Sequence, residues 1–374
     1  MTRPPHTPTS RTSLPLILLT LIAGLALGWL LRDTLRSSTA QVAVPTAVRT
    51  PALATTAAAT TAPAQRSPTA LPLPAPSTTP LPVPTAAPPV PTATPPAPAP
   101  PTPAAEPTPE IVAYAGHIVA EGETLETIAA NGGSTPDVVA DYNRLAGPPQ
   151  PGRALIVPRI AGQSSVLENP PILVQRGHDD RPWVALTLDA GASAAPVPRM
   201  LQTLREHHVQ ITFFLTGKWI EENPDLARQI VADGHEIANH TFDHPDLTRL
   251  DDDAIRQELA DTEELMRQMT GATTRPLFRP PYGAYDERVL RVAEEAGYLP
   301  IYWTLDSLDS VGEPKTPEFL LKRITGKLTP EQLRGAIILA HCGSEPTADA
   351  LPRILDRFAE LGFEVKKVSE VLEG

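Results

Sequence analysis

The stretch WVALTLDAG at residues 183–191 is a short apolar segment that ends in a carboxylate and a glycine. An apolar run of this length predicts a buried strand, and Asp189 falls at the end of that strand. QITFFLT at 210–216 and HEIANHTFDH at 235–244 repeat the pattern of an apolar run followed by polar side chains. Segments of helical period separate these runs. Strands that alternate with helices in this way predict an α/β fold with a parallel sheet or barrel.

The alternation continues to the C-terminus of the chain. The remaining predicted strands are at 236–238, 277–278, 298–304, 335–340 and 363–368. The predicted helices are at 200–207, 223–232, 251–270, 287–296 and 351–361. Five of the strands are followed by polar residues: Asp189; His240 and His244; Arg279 and Tyr282; Asp306 and Asp309; and His341. Before the last strand, only the strand at 210–216 contributes none. Because the active site of a (β/α) barrel lies at the C-terminal ends of its strands, we expect these side chains to share one mouth.

The segment HTFDH at 240–244 contains a candidate metal site. Its two histidines have i, i+4 spacing, which predicts that both imidazoles lie on one face of a helical turn before Pro245. Such a pair can bind Zn²⁺, which also requires a third protein ligand and an open position for water. The pair alone is weak support for a metal, and Asp189, Arg279 and His341 each have ordinary structural roles as alternatives.

Five motifs taken together resemble the NodB-type polysaccharide deacetylases, carbohydrate esterase family four. They are TLDAG at 187–191, NHTFDH at 239–244, RPPYG at 279–283, WTLDSLDS at 303–310 and IILAHCG at 337–343. The segment 212–250 is also similar to the family along its length. The resemblance implies an α/β fold of the distorted (β/α) barrel type over residues 175–374. It also implies metal-dependent removal of acetyl groups from N-acetylglucosamine in peptidoglycan or a related cell-envelope polysaccharide.

The resemblance assigns a role to each motif residue. Asp189 matches the general base, and Arg279 matches the residue that orients this base. His240 and His244 match metal ligands. Tyr282 matches the position whose backbone N–H holds the oxyanion, and Leu339 matches a wall of the acetyl pocket. His341 matches the general acid, and Asp309 matches an acidic residue that supports His341 or Arg279. The implied cofactor is a divalent metal, Zn²⁺ first, with Co²⁺ or Ni²⁺ as alternatives.

Three residues depart from the family pattern. Ala190 stands where the family has a second aspartate, the third metal ligand, and it has no donor atom. Water could fill that position, another carboxylate (Asp189, Asp243 or Asp246) could replace it, or the site could be inactive. Ser310 stands where a tryptophan is usual. Cys342, the one cysteine, is interpreted as a small buried residue, with a reactive thiol as the alternative.

The N-terminal third has a different composition. Residues 14–31, LPLILLTLIAGLALGWLL, contain no charge and are long enough to span a bilayer. We interpret them as an uncleaved signal anchor after a cytoplasmic tail at 1–13; the alternative is a signal peptide cleaved after Ala40. Residues 32–112 contain many of the 46 prolines and predict a disordered linker. The expected location is a single-pass cell membrane protein with an extracytoplasmic catalytic domain.

Residues 115–159 form a small module with the predicted order strand, helix, helix, strand. Its entry at His117 to Val119, the GETL motif at 122–125, Asn143 and the exit IVP at 156–158 resemble a LysM domain. That resemblance implies binding to N-acetylglucosamine polymers such as peptidoglycan.

Charge and composition exclude some classes of function. The net charge of −12 argues against a broad nucleic-acid surface. We expect a monomer whose partners are a glycan and, through the N-terminal helix, a membrane. Two alternatives to the deacetylase remain: a catalytically impaired protein that binds the cell wall, and a related metal hydrolase that acts on another amide or ester.

Overall fold

A computed structural model describes residues 108–373. The predicted membrane anchor and almost all of the predicted linker lie outside these residues. Within the described range, no helix is both long enough and apolar enough to cross a membrane. The first elements are β1 (Ile111–Ile118), α1 (Leu125–Gly132), α2 (Pro136–Tyr142) and β2 (Ala154–Ile160). β1 and β2 pair antiparallel, so residues 111–160, termed the N-terminal module below, have the order strand, helix, helix, strand.

The rest of the described chain is built on one curled parallel sheet. Its strands are β3 (Trp183–Ala190), β4 (Thr212–Leu215), β5 (Glu236–Asn239), β6 (Leu277–Phe278), β7 (Leu299–Pro300), β8 (Leu305–Asp306), β9 (Ala336–His341) and β10 (Glu364–Val365). Their spatial order is β7-β6-β5-β4-β3-β9-β8, and β10 pairs with the start of β3. The sheet does not close between β7 and β8, so it is an open half-barrel, and β3 lies near its centre.

Most of the helices cover the outer face of the sheet, and the last helix packs against the opposite face. The helices are α3 (Val197–Glu206), α4 (Gly217–Glu222), α5 (Pro224–Ala232), α6 (Asp252–Thr270), α7 (Glu287–Glu295), α8 (Pro317–Gly326), α9 (Pro330–Leu333), α10 (Glu345–Glu360) and α11 (Val368–Glu373). The longest, α6, shows why such segments are helical. The Asp251 side chain accepts a hydrogen bond from Ala254 N (2.8 Å), and Gly271 ends the helix in the left-handed conformation. Its apolar side chains Ile255, Leu259 and Met266 are buried.

The predicted strands and helices occur in the predicted order, but some of their predicted lengths are wrong. The predicted strand 298–304 contains only β7, and a further short strand, β8, follows it. The predicted strand 363–368 ends at Val365, and α11 begins at Val368. Four helices were not predicted. Three of them, α4, α9 and α11, have only four to six residues and give little periodic signal, whereas α8 has 10 residues.

The N-terminal module packs against the N-terminal ends of the parallel strands. The Arg144 guanidinium contacts the Glu236 carboxylate at the start of β5 (2.6 Å) and donates to Arg275 O just before β6 (2.6 Å). The Tyr142 hydroxyl donates to Gly297 O just before β7 (2.7 Å). The module therefore closes the base of the half-barrel, at the opposite end of the strands from Asp189 and His341.

Candidate active site

One cavity of about 440 Å³ lies at the C-terminal ends of the strands. Seven residues that the sequence analysis selected line this cavity: Asp189, His240, His244, Tyr282, Asp306, Leu339 and His341. The other two, Arg279 and Asp309, lie directly behind Asp189 and His341 and contact them. The prediction that these strand ends share one mouth is therefore confirmed by the geometry.

Asp189 and His341 are neighbours across two adjacent strands. They are register partners in the parallel pair β3 and β9. Neighbouring strands lie about 4.8 Å apart, so both side chains reach the same small volume. The sequence could not show this proximity, since about 150 residues separate the two strands.

Asp189 is held by a buried arginine. The Arg279 Nη1 atom donates to Asp189 Oδ1 (2.5 Å), and the Arg279 side chain is fully buried. Asp189 Oδ2 lies 3.6 Å from His240 Nε2. One carboxylate oxygen is thus bound by arginine, whereas the other faces the histidine and the cavity.

Arg279 is itself fixed on several sides. Its Nη1 atom also donates to the Thr187 hydroxyl (2.8 Å), which in turn donates to Ile338 O (2.8 Å). Its Nη2 atom donates to Tyr302 O (3.1 Å), and its guanidinium lies 3.9 Å from the centre of the Phe214 ring. A buried guanidinium with these partners is rigid, so it fixes the orientation of the Asp189 carboxylate.

His240 and His244 come together, but not on a helical turn. Their ring centroids are 4.8 Å apart, whereas Thr241 (φ 65°) and His244 (φ 61°) have left-handed backbone conformations that interrupt any helix. The loop is held instead by Asn239 Oδ1, which accepts from Thr241 N (2.8 Å), and by Glu258, which accepts from the two amides of residues 242 and 243 (2.8 and 2.9 Å). The predicted helical turn is therefore wrong, although the predicted proximity of the imidazoles is right.

Both imidazoles favour the neutral form. The His240 Nδ1 atom lies 2.8 Å from Arg279 O, which directs Nε2 toward Asp189 and the cavity. Burial lowers the pKa of His240 to about 4, against the opposing charge of Asp189. Burial also lowers the pKa of His244. Neutral imidazole nitrogens are the form that binds metals.

His341, unlike His240 and His244, lies in surroundings that favour its protonated form. Its Nδ1 atom lies 2.7 Å from Asp309 Oδ1, and its backbone N–H donates to Asp309 Oδ2 (2.9 Å). The Thr347 hydroxyl donates to the same Oδ2 atom (2.6 Å). Burial acts to lower the pKa of His341, but the hydrogen bond to Asp309 and the negative charges of Asp189, Asp309 and Asp306 outweigh it and raise the pKa. The raised pKa favours the protonated form of His341, in which the Nε2 atom carries a proton.

The donors in the cavity do not form a complete three-residue metal site. His240 and His244 supply two nitrogens, but Ala190 supplies no donor, is fully buried and packs in the apolar core. Three carboxylates were proposed as substitutes. Asp189 lines the cavity, but one of its oxygens is bound by Arg279. Asp246 is bound to Thr248 and Arg249, and Asp243 is exposed; neither of these two lines the cavity. Among residues 108–373, no group of three or more His, Cys, Asp or Glu side chains is placed to hold a metal ion.

Ser310 and Cys342 are the other two residues that depart from the family pattern. Ser310 lines the cavity next to Val311, so the small side chain leaves that side open. Cys342 is fully buried, and burial raises the pKa of its thiol. The interpretation of Cys342 as a small core residue is therefore confirmed, and the protonated thiol is a poor nucleophile.

Sequence reasoning missed the residues that support the machinery. Thr187 could have been found, since it lies two residues before Asp189 and so shares its face of the strand. Thr347 and Glu258 reach the site from α10 and α6, and no local pattern marks them. Trp303, the first residue of the WTLDSLDS motif, also lines the cavity.

Several known proteins are similar to this chain over about half of its length. A family model described as polysaccharide deacetylase matches residues 176–301. The peptidoglycan-N-acetylmuramic acid deacetylase PdaA of Bacillus subtilis is 30% identical over 197 residues, which are 52% of this chain and 73% of that protein. The chain belongs to the polysaccharide deacetylase family. A second family member, the peptidoglycan-N-acetylglucosamine deacetylase of Bacillus cereus, is 32% identical over 183 residues, 48% of this chain and 64% of that protein.

One similar solved structure is described as a pseudoenzyme rather than an active deacetylase. A carbohydrate esterase family 4 pseudoenzyme from Bacillus anthracis is 33% identical, with a TM-score of 0.50, over 54% of this chain and 69% of its own. A mutant of that pseudoenzyme is described as having restored enzymatic activity, and it matches with a TM-score of 0.51 and 29% identity over 63% of this chain and 84% of its own. The chain spans 60% of the length of the first curated relative and 73% of the next two.

Proposed function

We propose that this polysaccharide deacetylase family member hydrolyses the acetyl amide of N-acetylglucosamine in peptidoglycan or a related cell-envelope polysaccharide. The observation that carries this proposal is the pairing of two proton-transfer groups across β3 and β9. Arg279 orients Asp189 at the end of β3, and Asp309 binds the Nδ1 side of His341 at the end of β9. The family and the printed activities of two relatives support the substrate class.

The residues of the chain support the following steps. Asp189 Oδ2 takes a proton from water as the water oxygen forms a bond to the acetyl carbonyl carbon. The electron pair of the C=O bond moves to oxygen, and the Tyr282 N–H at the cavity wall is the proposed donor to that oxyanion. When the C–N bond breaks, the His341 Nε2–H proton moves to the leaving nitrogen. The products are acetate and a free amino sugar, and solvent returns the proton from Asp189 to His341.

The metal that the family resemblance implies has no assigned step in this proposal, since the donors present are incomplete. Leu339, 5% exposed, forms an apolar part of the cavity and is the proposed contact for the acetyl methyl group. We also propose that the apolar segment 14–31 anchors the protein in the cell membrane, that the catalytic domain lies outside the cytoplasm, and that the N-terminal module binds the same class of glycan.

Acetate release tests the proposal. The full-length protein is incubated with peptidoglycan or N-acetylglucosamine oligomers, with and without added Zn²⁺ or Co²⁺. Asp189→Asn and His341→Gln should each lower the rate by about 10²- to 10⁴-fold, the usual contribution of a general base or acid. His207→Gln is the matched control, because His207 also contacts a carboxylate (Asp356, 3.3 Å) but lies far from the cavity on the end of α3. Equal rates for all three variants would contradict the proposal.

A second candidate function is glycan binding without turnover. Ala190 favours it specifically, because it removes a metal donor while the cavity remains formed. The similarity to a family 4 pseudoenzyme supports the same alternative. Binding of N-acetylglucosamine oligomers with no acetate release under any metal condition would establish it, and acetate release from other amides or esters would instead indicate a different hydrolase.

A further inference from the structure

A second cavity, of about 250 Å³, lies where the N-terminal module meets the base of the half-barrel. Ile118 at the end of β1 and Arg153 just before β2 line it from the module, and residues 175–178 and Leu372 line it from the rest of the chain. The Ile118 side chain is 48% exposed, so the cavity is open to solvent at that edge. It shares no lining residue with the candidate active site.

The polar lining of this second cavity is basic. Arg153, Arg176 and His178 line it, and no aspartate or glutamate does, although the chain has 43 acidic residues against 31 lysines and arginines. The Arg176 guanidinium donates to two backbone carbonyls, Arg334 O and Gln332 O (both 2.6 Å). In the described part of the chain, neither arginine of this lining contacts a carboxylate. The cavity therefore has an uncompensated positive charge.

Arg153 is the buried source of this charge. It is only 4% exposed, and its one hydrogen bond is a long one from Nη2 to Asn143 O (3.3 Å). Its Nε and Nη1 atoms are buried and have no hydrogen-bond partner among the described residues. A buried charge with so few partners is costly, because the water it loses on burial is not replaced by other acceptors.

The nearest acidic residues do not neutralise Arg153 by contact. Glu373 accepts from the amides of residues 146 and 147, and Glu236 is bound by Arg144. Burial lowers the pKa of Arg153 to about 10, against the opposing charges of Glu373 and Glu236. The guanidinium is therefore still charged at neutral pH, and an acceptor that enters the cavity can pair with it.

We propose that this second cavity is a binding site for a small organic carboxylate, which accepts hydrogen bonds from the Arg153 guanidinium. Ile172, Val174 and Leu372 form buried apolar walls of the same cavity, and they match the hydrocarbon part of such an acid better than a fully hydrated inorganic anion. Residues of both the module and the half-barrel line the site, so a bound carboxylate should stabilise their docking. The site does not depend on the proposed reaction.

Acetate is the probe that tests the site, in the full-length protein. The readouts are the Arg153 Nε–H signal in the NMR spectrum and thermal unfolding. Acetamide is the uncharged molecule of the same shape, and chloride at equal ionic strength controls for general salt effects. We expect acetate to shift the Arg153 signal with a dissociation constant on the order of 1–10 mM, a weak affinity that suits one ion pair. At about ten times that constant, acetate should lower the unfolding equilibrium constant about 11-fold. Acetamide and chloride should do neither.

Arg153→Met should abolish the effect of acetate on unfolding. Without acetate it should be at least as stable as the wild type, because it removes a buried charge that has few partners. If this variant does not fold, the Arg153 signal of the wild type still decides whether acetate binds. Arg159→Met is the matched control: Arg159 lies in β2 and also has a buried Nε atom without a partner, but it does not line the cavity. It should respond to acetate like the wild type.

Three results would overturn the site: an Arg153 signal that acetate does not shift, an equal effect of acetamide or chloride, or an undiminished effect of acetate on Arg153→Met. Acetate bound only at the candidate active site would give the last of these. N-acetylmuramic acid, a sugar that carries a carboxylate, distinguishes the sources of the ligand. If it binds at least as tightly as acetate, the carboxylate is one carried on a sugar; if only acetate shifts the signal, the ligand is a free acid.

Discussion

Arg144→Met should destabilise the whole described fold, because it removes the partner of a buried carboxylate. The Glu236 side chain is 2% exposed and contacts Arg144 (2.6 Å), the Thr212 hydroxyl (2.7 Å) and Ser369 N (3.2 Å). Burial alone would raise the pKa of Glu236, but Arg144 and these hydrogen bonds outweigh it and lower the pKa. Without the guanidinium, two neutral donors remain to hold a full negative charge.

The magnitude follows from two limits. Breaking one side of a buried ion pair costs about 3–5 kcal/mol. Glu236 can escape part of this cost by binding a proton, which at pH 7 costs about 3.7 kcal/mol for a carboxyl of ordinary pKa. Arg144 is 28% exposed, so water reaches the pair. We therefore expect a loss of about 3 kcal/mol in the free energy of unfolding, or roughly 6–12 °C in Tm for a domain of this size.

Urea or thermal unfolding of the full-length protein measures the effect. Because the folded pKa of Glu236 is lowered, the stability contributed by the pair is present above the unfolded pKa of a glutamate and is lost as the pH falls through the folded pKa. The difference between wild type and Arg144→Met should therefore be largest near neutral pH and shrink in acid. Adding Glu236→Gln to Arg144→Met should recover most of the loss, since the uncompensated charge is gone.

Arg228→Met is the control for this prediction. Its ion pair with Asp225 is exposed (50% and 97% for the two side chains), so we expect a change of less than about 0.5 kcal/mol. Two results would contradict the idea that the N-terminal module holds the base of the half-barrel. One is that Arg144→Met lowers the free energy of unfolding no more than Arg228→Met does. The other is that adding Glu236→Gln does not restore the stability of Arg144→Met.

Three further outcomes are expected. Ala190→Asp should add a third metal donor. Zn²⁺ at about 100 times its dissociation constant should then raise the free energy of unfolding of the variant by about 2.7 kcal/mol, and that of the wild type by less. Equal effects of Zn²⁺ on the Tm of the two proteins would refute this. Asp309→Asn should lower the pKa of His341, because it removes the negative charge beside Nδ1. The fall in rate at high pH should then move to lower pH; if the protein is inactive, the NMR titration of His341 should move in the same direction. An unchanged titration would show that Asp309 does not raise the pKa of His341. Cys342 should react with a thiol reagent only after unfolding, because burial raises the pKa of its thiol; rapid labelling of the native protein, followed by mass spectrometry, would contradict its core position.

The sequence alone was sufficient for the class of fold and for most of the candidate site. Strand and helix periods are local properties, so the alternation from residue 183 onward predicted a parallel α/β sheet. Polar residues that end apolar strands also carry positional information, because parallel strands end at one edge. For that reason Asp189, His240 and His341 could be assigned to one cavity before their distances were known.

Tertiary structure decided everything that depends on contacts between distant segments. The register of β3 against β9 places Asp189 beside His341. Hydrogen bonds that the loop amides donate to Asn239 and Glu258 hold the His240–His244 loop in a shape that i, i+4 spacing did not predict. The docking of the N-terminal module through Arg144 has no local signal, since it depends on a carboxylate more than 90 residues away. Such contacts arise from long-range packing, in which the free energy of burial selects partners that the sequence separates.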